Sequence, residues 1–441
     1  MRSTMSKKIC IVGTGYVGMA SAIGLAELGW SVTGYDIMGE RIAGLRAGIT
    51  PYREAGIDEP LHRHLASGAL SFVTDLAAAV RGARIVILTV GTPSSADGSA
   101  DLSALNAAVE ALLHVPLAPA AIVAVRSTVP VGTSDDLAAR LAGRARVVYA
   151  PEFLREGSAL RDFLHPDRIV VGTDSIGAAT AYAALFEALD APVLMTSRRN
   201  AELIKGVSNA FLALKISFAN EIANLCDEVG ADSGDVLRGV GYDRRIGGAF
   251  LAPGIGFGGP CFEKDVKSLR HVAEGAGTGY ELLRAVLRVN DAQPLRVVAA
   301  LERELGGLKG RTIAVWGLAF KAGTDDVRDS LALRVLEELS RRGARAVAYD
   351  PAVRSAALPQ GCRIAASALE ATNRADALLL LTEWPSFREI DPAALAASLR
   401  RGLVVDGRNL LDPERFAAAG LRYRGIGRSL DPAARSLAVA G

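Results

Sequence analysis

An apolar segment runs directly into a glycine-rich turn at residues 9–18, ICIVGTGYVG. In this pattern the first glycine, Gly13, permits a tight turn, and Gly15 lets the backbone approach a pyrophosphate. The third glycine, Gly18, allows a helix to pack closely on the strand, and the pyrophosphate then lies at the helix N-terminus. The stretch therefore predicts the strand, turn and helix that begin a doubly wound α/β domain.

The acidic residue expected in such a domain stands at the end of the next predicted strand. Asp36 lies 18 residues after Gly18, where its carboxylate accepts hydrogen bonds from an adenine ribose. A carboxylate there repels a 2′-phosphate, so NAD is predicted as the cofactor rather than NADP. Arg41, close in sequence, is the one nearby group that would tolerate a phosphate.

Strand and helix patterns alternate on both sides of a long helical segment. Val- and Ile-rich runs, apolar on both faces as in covered parallel strands, predict strands at 8–13, 31–36, 85–90, 121–126, 146–149 and 168–172. Further strands are predicted at 312–316, 345–349, 377–381 and 403–405. The predicted fold is α/β, with two Rossmann-like domains joined by a long central helix, and the predicted domain boundaries are 1–199, 200–306 and 307–441.

The central helix is predicted over residues 200–230. Its apolar residues recur at three- and four-residue steps: Val207, Phe211, Leu214, Phe218, Ile222 and Leu225. At 1.5 Å per residue it is about 45 Å long, so it is predicted to connect two domains and to form a subunit contact. A glycine-rich loop follows, and a second helical stretch is predicted at 261–305.

Composition narrows the possible functions. Half of the 441 residues are hydrophobic and the net charge is +2 with dispersed basic residues, which argues against nucleic-acid binding. Because no apolar run approaches the ~20 residues of a membrane span, and none precedes the first strand, we expect a cytoplasmic protein. The cysteines show no CxxC spacing, which argues against a zinc site or a disulfide framework. Three of them are interpreted as inert: Cys10, Cys226 and Cys362.

The fourth cysteine has a different setting, GGPCFEKD at residues 258–265. Cys261 opens a predicted helix, 262–273, whose N-terminal dipole and amide groups stabilise a thiolate. Asp265 lies one turn further on the same face, with Lys264 beside it. A thiolate, a carboxylate and an ammonium group within one turn predict a covalent catalytic site.

Other polar residues allow two interpretations. Glu202, Lys205 and Asn209 share one face of the central helix, either to stabilise an oxyanion or as a solvated polar face. Thr92, Thr128 and the segment 150–157 follow predicted strands and point toward one crevice, although each is an ordinary loop when taken singly. In the second domain, which has only Gly317 in place of a fingerprint, Lys321 and Arg328 either meet an anionic ligand or belong to a solvated loop.

Together these stretches resemble the nucleotide-sugar 6-dehydrogenase family. The resemblance covers about residues 8–410. Its motifs are GTGYVG at 13–18, GTPSSADGSADLS at 91–103, RSTVPVGT at 126–133, APEFLREG at 150–157, NAFLALKISFANEIANLCDEVG at 209–230, GFGGPCFEKDVKSL at 256–269, GLAFKAGTDDVRDS at 317–330, YDP at 349–351 and DGRN at 406–409.

The resemblance implies a four-electron oxidation of the C6 alcohol of a nucleotide sugar, with two NAD⁺ per sugar and a thioester on Cys261. UDP-glucose is the expected substrate and UDP-glucuronate the expected product, with GDP-mannose or another nucleotide sugar as the alternative. The three domains then bind NAD, form a homodimer around the cysteine segment, and bind the nucleotide sugar. A non-catalytic NAD-dependent sensor and a two-electron dehydrogenase that needs no thiol are the alternatives from other classes.

The resemblance also assigns residues by position. The implied catalytic residues are Cys261 as nucleophile, Lys205 and Asn209 for the oxyanion, and Asp265, Thr128 and Glu152 for protons and water. The implied cofactor-binding residues are Gly13, Gly15, Tyr16, Val17, Gly18, Asp36, Arg41, Thr92, Thr128, Glu156, Lys264 and Arg328. The implied substrate-binding residues are Glu152, Phe153, Leu154, Lys205, Asn209, Phe250, Phe257, Gly258, Lys321 and Arg408, with Arg245 donated by the other subunit.

Overall fold

The computed structural model describes residues 7–95 and 97–428. These residues form two compact units. The first contains the described residues up to Ser208 together with Lys267–Thr278, and the second contains Asn209–Val266 and the described residues from Gly279 onward. Each unit is described by itself.

The first unit is built on an eight-stranded sheet. Its strands are β1 (Lys8–Val12), β2 (Ser31–Tyr35), β3 (Leu70–Val73), β4 (Ile85–Leu88), β5 (Ala121–Val125), β6 (Ala145–Tyr149), β7 (Ile169–Gly172) and β8 (Val193–Thr196). They lie in the order β3-β2-β1-β4-β5-β6-β7-β8, and only the β6–β7 pair is antiparallel. The chain order reverses between β1 and β4, and ligands of such sheets bind at this point, beyond the carboxyl ends of the strands.

Helices cover both faces of this sheet. They are α1 (Tyr16–Glu27), α2 (Gly39–Arg46), α3 (Asp58–Ser67), α4 (Leu76–Val80), α5 (Ser103–Leu113), α6 (Thr133–Arg140), α7 (Ala159–Leu164) and α8 (Ile176–Ala183), with a short 3-10 helix at Ala184–Phe186. Ile9 and Ile11 of β1 join one buried cluster, whereas Cys10 and Val12 join another. Because successive side chains of a strand point to opposite faces, this division explains why the strand is apolar throughout.

The long helix α9 (Arg198–Val229) has residues in both units. The second unit continues with α10 (Ser233–Gly241), α11 (Phe262–Gly275), which also has residues in both units, and α12 (Glu281–Leu305). A six-stranded parallel sheet follows, with the order β11-β10-β9-β12-β13-β14. Its strands are β9 (Thr312–Trp316), β10 (Arg345–Tyr349), β11 (Cys362–Ile364), β12 (Ala377–Leu380), β13 (Leu403–Asp406) and β14 (Arg422–Arg424). Its helices are α13 (Leu331–Arg341), α14 (Ala368–Thr372), α15 (Pro392–Ser398) and α16 (Pro413–Ala418), with a 3-10 helix at Pro385–Glu389.

The predicted fold class, two Rossmann-like domains with a long central helix, is confirmed. The single helical stretch predicted over 261–305 is wrong, because a glycine-rich break that includes Gly277 at φ 67° separates α11 from α12. The sequence reading also missed α10 and four strands, β3, β8, β11 and β14. Among the described residues, no helix has the length and apolar character needed to span a bilayer.

Candidate active site

The glycine-rich turn has the geometry that its sequence predicts. Gly13 adopts φ 93°, and its N–H donates to the Tyr35 carbonyl at 2.8 Å. A Cβ on Gly18 would lie 1.9 Å from the Gly13 carbonyl oxygen, so only glycine permits this approach of helix to strand. Within the described part of the chain, no side chain caps α1 and no acidic residue stands in its first turn. The helix N-terminus therefore presents backbone donors suited to a pyrophosphate, and the turn fits an NAD cofactor.

Asp36 follows β2 as predicted and is held by four hydrogen bonds. Its carboxylate accepts from the Thr14 backbone at 2.9 Å and hydroxyl at 3.0 Å, from the Met38 backbone at 3.0 Å, and from Arg41 at 2.9 Å. Burial opposes its ionisation, but the hydrogen bonds and the Arg41 charge outweigh burial and lower the pKa of Asp36. An ionised acceptor is therefore fixed where the adenine ribose of NAD binds in this fold.

Replacing Asp36 by alanine is expected to weaken NAD binding roughly tenfold or more, because hydrogen bonds to a charged acceptor contribute about 1.5–3 kcal/mol. The same change removes the charge that repels a 2′-phosphate, so the preference for NAD over NADP should narrow. Calorimetric titration with each dinucleotide measures both effects. Asp190→Ala, which removes an exposed carboxylate of the same unit, is the matched control. Unchanged NAD affinity in D36A would show that Asp36 does not contact the ribose.

The loops that follow β4 and β5 are tied to each other and to the long helix. The Thr92 hydroxyl donates to the Thr128 carbonyl at 2.7 Å, and the Ser127 hydroxyl donates to the Val90 carbonyl at 2.6 Å. Glu202 of α9 accepts the N–H groups of Gly132 and Ser134, each at 2.7 Å. The residue is almost fully buried, and burial raises its pKa despite these bonds. Glu202 therefore anchors the loop that carries Thr128 and does not belong to a solvated face.

Lys205 and Glu152 form a largely buried ion pair in the first unit. The Lys205 ammonium donates to the Glu152 carbonyl at 2.8 Å and to its carboxylate at 3.2 Å. The other carboxylate oxygen accepts the Leu154 N–H at 2.6 Å. The Arg168 guanidinium stacks over the ring of Phe153 in a cation–π contact, 3.6 Å from the ring centroid. The structure thus brings four of the predicted site residues, 152–154 and Lys205, to one place.

Glu54 holds the chain segment that follows residues 152–154. It was not predicted from the sequence as a site residue. Its carboxylate accepts the N–H groups of Gly157 and Ala159, each at 2.7 Å, and the residue is buried. Tyr16, the first residue of α1, donates its hydroxyl to the Arg155 carbonyl at 2.7 Å. Burial first, and then Glu54 and neighbouring carboxylates that include Glu156, raise the pKa of the Tyr16 phenol. This network links the pyrophosphate-binding turn to the segment that carries Glu152.

The predicted nucleophile, Cys261, lies in the second unit. Cys261 is exposed and directly precedes α11, and its carbonyl accepts the Asp265 N–H at 2.9 Å. Asp265 is buried, and its carboxylate accepts from Lys264 at 2.6 Å and from the Asn209 amide at 2.5 Å. A thiol at a helix N-terminus is therefore followed, one turn on, by a carboxylate held by an ammonium and an amide. In this arrangement one of the two N–H groups of the Asn209 amide is engaged by Asp265.

The glycine-rich segment before Cys261 is fixed by hydrogen bonds to α12, by close backbone packing and by aromatic contacts. Asn290 of α12 accepts the Phe257 N–H at 2.8 Å and donates to its carbonyl at 3.0 Å. A Cβ on Gly258 would lie 2.6 Å from the Asp329 carbonyl, so this residue must be glycine. The rings of Phe257 and Phe250 pack against Phe262 at centroid distances of 5.9 and 6.3 Å.

The four remaining predicted cationic residues differ in what they contact. Arg408 donates to the Gly256 carbonyl at 3.1 Å and to the Leu381 carbonyl at 2.8 Å, so it lies on the glycine-rich segment. Three others contact near neighbours in sequence: Arg328 pairs with Asp326, the Lys321 ammonium lies 5.5 Å from the Phe320 ring centroid, and the largely exposed Arg245 pairs with Asp243.

The chain matches three models of one family along most of its length. They are the NAD binding, central and UDP binding domains of the UDP-glucose/GDP-mannose dehydrogenase family, and they match residues 7–190, 199–292 and 314–413. A UDP-glucose 6-dehydrogenase of Pseudomonas aeruginosa is 43% identical over 442 residues, which cover 96% of this chain and 97% of that protein. The Bacillus subtilis UDP-glucose 6-dehydrogenase TuaD is 41% identical over 435 residues, covering 96% and 93% of the two chains. The solved structure of a UDP-glucose dehydrogenase from Pyrobaculum islandicum is similar with a TM-score of 0.90 and 39% identity, over 97% of this chain and 99% of that one.

Proposed function

Because the chain belongs to the UDP-glucose/GDP-mannose dehydrogenase family, and is therefore an NAD-dependent dehydrogenase, we propose that it oxidises the C6 alcohol of UDP-glucose to UDP-glucuronate. Two relatives named as UDP-glucose 6-dehydrogenases, at 43% and 41% identity, support this substrate. The observation that carries the proposal is the exposed Cys261 at the N-terminus of α11, one turn before the buried Asp265.

The proposed chemistry passes through two covalent states of Cys261. Bound NAD⁺ supplies a hydride acceptor, once for the alcohol and once for the thiohemiacetal. The Cys261 thiolate attacks the aldehyde carbon, forming a C–S bond, and Lys205 and Asn209 stabilise the oxyanion of the thiohemiacetal. After the second oxidation, water attacks the thioester, breaks the C–S bond and returns the thiolate. The four electrons removed from the sugar equal two hydrides.

The proton transfers are assigned to three residues. The alcohol proton and both protons of the attacking water leave during the reaction, whereas the thiohemiacetal oxyanion carries no proton to lose. Glu152, Asp265 and Thr128 carry them, and Glu152 already accepts a hydrogen bond from Lys205.

The nucleotide sugar is proposed to contact the aromatic and glycine-rich segment before Cys261. Phe250, Phe257 and Gly258 supply its walls, and Arg408, which donates to the Gly256 carbonyl, supplies positive charge for the diphosphate. Lys321 and the partner-donated Arg245 add charge, while residues 152–154 contact the sugar. The proposed division into domains at 1–199, 200–306 and 307–441 is similar to the ranges that the three family models match.

Counting NADH released per nucleotide sugar tests the proposed reaction. With limiting UDP-glucose and excess NAD⁺, two NADH are expected for each UDP-glucuronate formed. Two NADH from GDP-mannose alone would keep the mechanism and change the substrate. One NADH per sugar would show that the aldehyde is released and that Cys261 has no role in the reaction. No NADH from either substrate would favour another nucleotide sugar or a non-catalytic protein.

We further propose that α9 forms the core of a homodimer. Its outward side carries an apolar stripe in which Val207, Phe211, Phe218 and Leu225 are 50%, 59%, 47% and 55% exposed. These residues recur at intervals of four, seven and seven positions, which places them on one side of the helix, as in a helix that packs against a partner helix. A stripe of this kind costs free energy in water, and a second copy of the same helix would bury it.

Replacing both Phe211 and Phe218 by glutamate is expected to convert the dimer to a monomer. Burial of each ring contributes about 1.5–3 kcal/mol, so the double change should weaken association by roughly a hundredfold or more. Light scattering coupled to gel filtration measures the mass directly. Glu228→Ala, at an exposed polar position of the same helix, should leave the mass unchanged. A dimer that persists in the double variant would place the interface elsewhere.

A further inference from the structure

The second unit contains a cationic cavity that the proposed reaction does not use. It has a volume of about 420 Å³, within the range of about 300–1,000 Å³ typical of small-ligand sites. Its lining residues include three arginines, Arg388, Arg415 and Arg428, and one acidic residue, Asp412. None of the residues proposed to bind the nucleotide sugar lines it.

The three arginines converge from separate parts of the chain. Arg388 lies in the 3-10 helix that follows β12, Arg415 lies in α16 after β13, and Arg428 follows β14. All three therefore come from segments beyond the carboxyl ends of adjacent parallel strands. Ligands of open α/β sheets bind at that edge, so the fold brings these side chains to a position suited to ligand binding.

The positive charge of the cavity is only partly neutralised by nearby carboxylates. Among the described residues, Arg388 and Arg415 form no ion pair with a carboxylate, and each donates only to a backbone carbonyl, of Leu410 and of Arg388 respectively. The Nε of Arg428 is buried without a hydrogen-bond partner, and the carboxylate of Asp232 lies 3.9 Å away. The Asp412 carboxylate accepts the N–H groups of Glu414 and Arg415, so it serves as the N-cap of α16.

We propose that this cavity binds a diphosphate group, either as free pyrophosphate or as part of a nucleoside polyphosphate. Guanidinium groups match phosphate oxygens with paired N–H donors, and charge-assisted hydrogen bonds of this kind are about twice as strong as neutral ones. Three arginines against the carboxylates of Asp412 and Asp232 leave one net positive charge. Because Arg388 and Arg415 have no carboxylate partner among the described residues, an anion with two phosphate groups could bind both. None of the cavity's lining residues belongs to the proposed dehydrogenase site, but Asn409 and Arg428 also line a neighbouring pocket with Arg408, so a test must keep the nucleotide-sugar site filled.

Titration with inorganic pyrophosphate tests the proposal. NAD⁺ and UDP are both kept saturating, so that the cofactor turn and the proposed nucleotide-sugar site are filled while no turnover occurs. Calorimetry is expected to show one remaining pyrophosphate site per chain. The double variant R388Q/R415Q should weaken this site at least tenfold, while Arg354→Gln, which removes an exposed guanidinium outside the cavity, should leave it unchanged.

Three results would overturn the proposal: no pyrophosphate binding once NAD⁺ and UDP are present, equal affinity in R388Q/R415Q, or equal weakening in R354Q. Addition of ATP separates the two sources of the diphosphate. Displacement of pyrophosphate by ATP would identify a nucleoside polyphosphate as the ligand, and its absence would identify the free anion. NADH release by R388Q/R415Q is expected to match that of the unmodified protein, which shows that the variant is folded.

Discussion

Serine in place of Cys261 is expected to lower the release of NADH from UDP-glucose by at least about a thousandfold, because nucleophile removal in covalent enzymes has effects of this size or larger. A serine hydroxyl is a far weaker nucleophile than a thiolate at neutral pH, and the helix N-terminus that stabilises a thiolate cannot ionise it. The oxygen is smaller than sulfur and the side chain is exposed, so substrate binding should be retained. Steady-state NADH production and calorimetric UDP-glucose affinity, measured together, separate the two effects.

The matched control for this change is Cys362→Ser. Cys362 lies in the edge strand β11, and burial raises the pKa of its thiol, so it is poorly suited to nucleophilic attack. Its replacement should leave the rate of NADH release close to that of the unmodified protein. A C261S protein that keeps its full rate would remove this thiol from the mechanism, and the two-electron alternative would then explain the activity better.

Local sequence patterns predicted most of the fold because the patterns and the packing agree. The strands apolar on both faces, such as β1, β4 and β5, are buried on both faces, so their composition alone identifies them. The strands that were missed lack this property. The side chains of β8 are mostly exposed, and β11 and β14 contain only three residues each. These strands form through pairing with a neighbour, which a local pattern does not record.

Helix α10 was missed for a related reason. Its nine residues include Gly234, Gly239 and Gly241, and glycine disfavours helix by about 1 kcal/mol per residue. The Asp232 side chain caps its N-terminus by accepting the N–H groups of Gly234 and Asp235. The buried Leu237 packs with Ala219 and Leu251. Tertiary contacts therefore outweigh the local preference for a loop.

The predicted site residues could be recognised in the sequence by their functional groups and spacing. The residues that hold them in position could not be recognised in this way. Glu54 lies 103 positions before Gly157, whose N–H it accepts, and Asn290 lies 33 positions after Phe257. Neither residue belongs to a periodic pattern or a known spacing, so only the folded chain reveals its role. Glu202 was identified by its helix face, yet the spacing alone allowed a solvated face. The structure decides this point, because the residue is buried and bonded to two backbone amides.

Methionine in place of Lys205 is expected to reduce kcat by roughly a hundredfold to a thousandfold, the effect typical of removing one donor to an oxyanion. Methionine keeps the length and the apolar stem of lysine but has no N–H group. The change also leaves the largely buried Glu152 carboxylate without its ammonium partner, and breaking a buried pair costs about 3–5 kcal/mol of stability.

Two measurements separate the catalytic effect of K205M from a structural one. Urea unfolding gives the loss of stability, and steady-state kinetics give kcat and KM separately. A purely structural role would lower the stability and leave kcat unaltered. Lys205→Arg restores a positive charge and should recover stability better than rate, because the planar guanidinium cannot reproduce the compact ammonium. Lys215→Met, in the same helix, removes an ammonium that donates to the Ile246 carbonyl and should leave kcat unchanged. A K205M protein with normal kcat and lowered stability would restrict Lys205 to holding Glu152 in place.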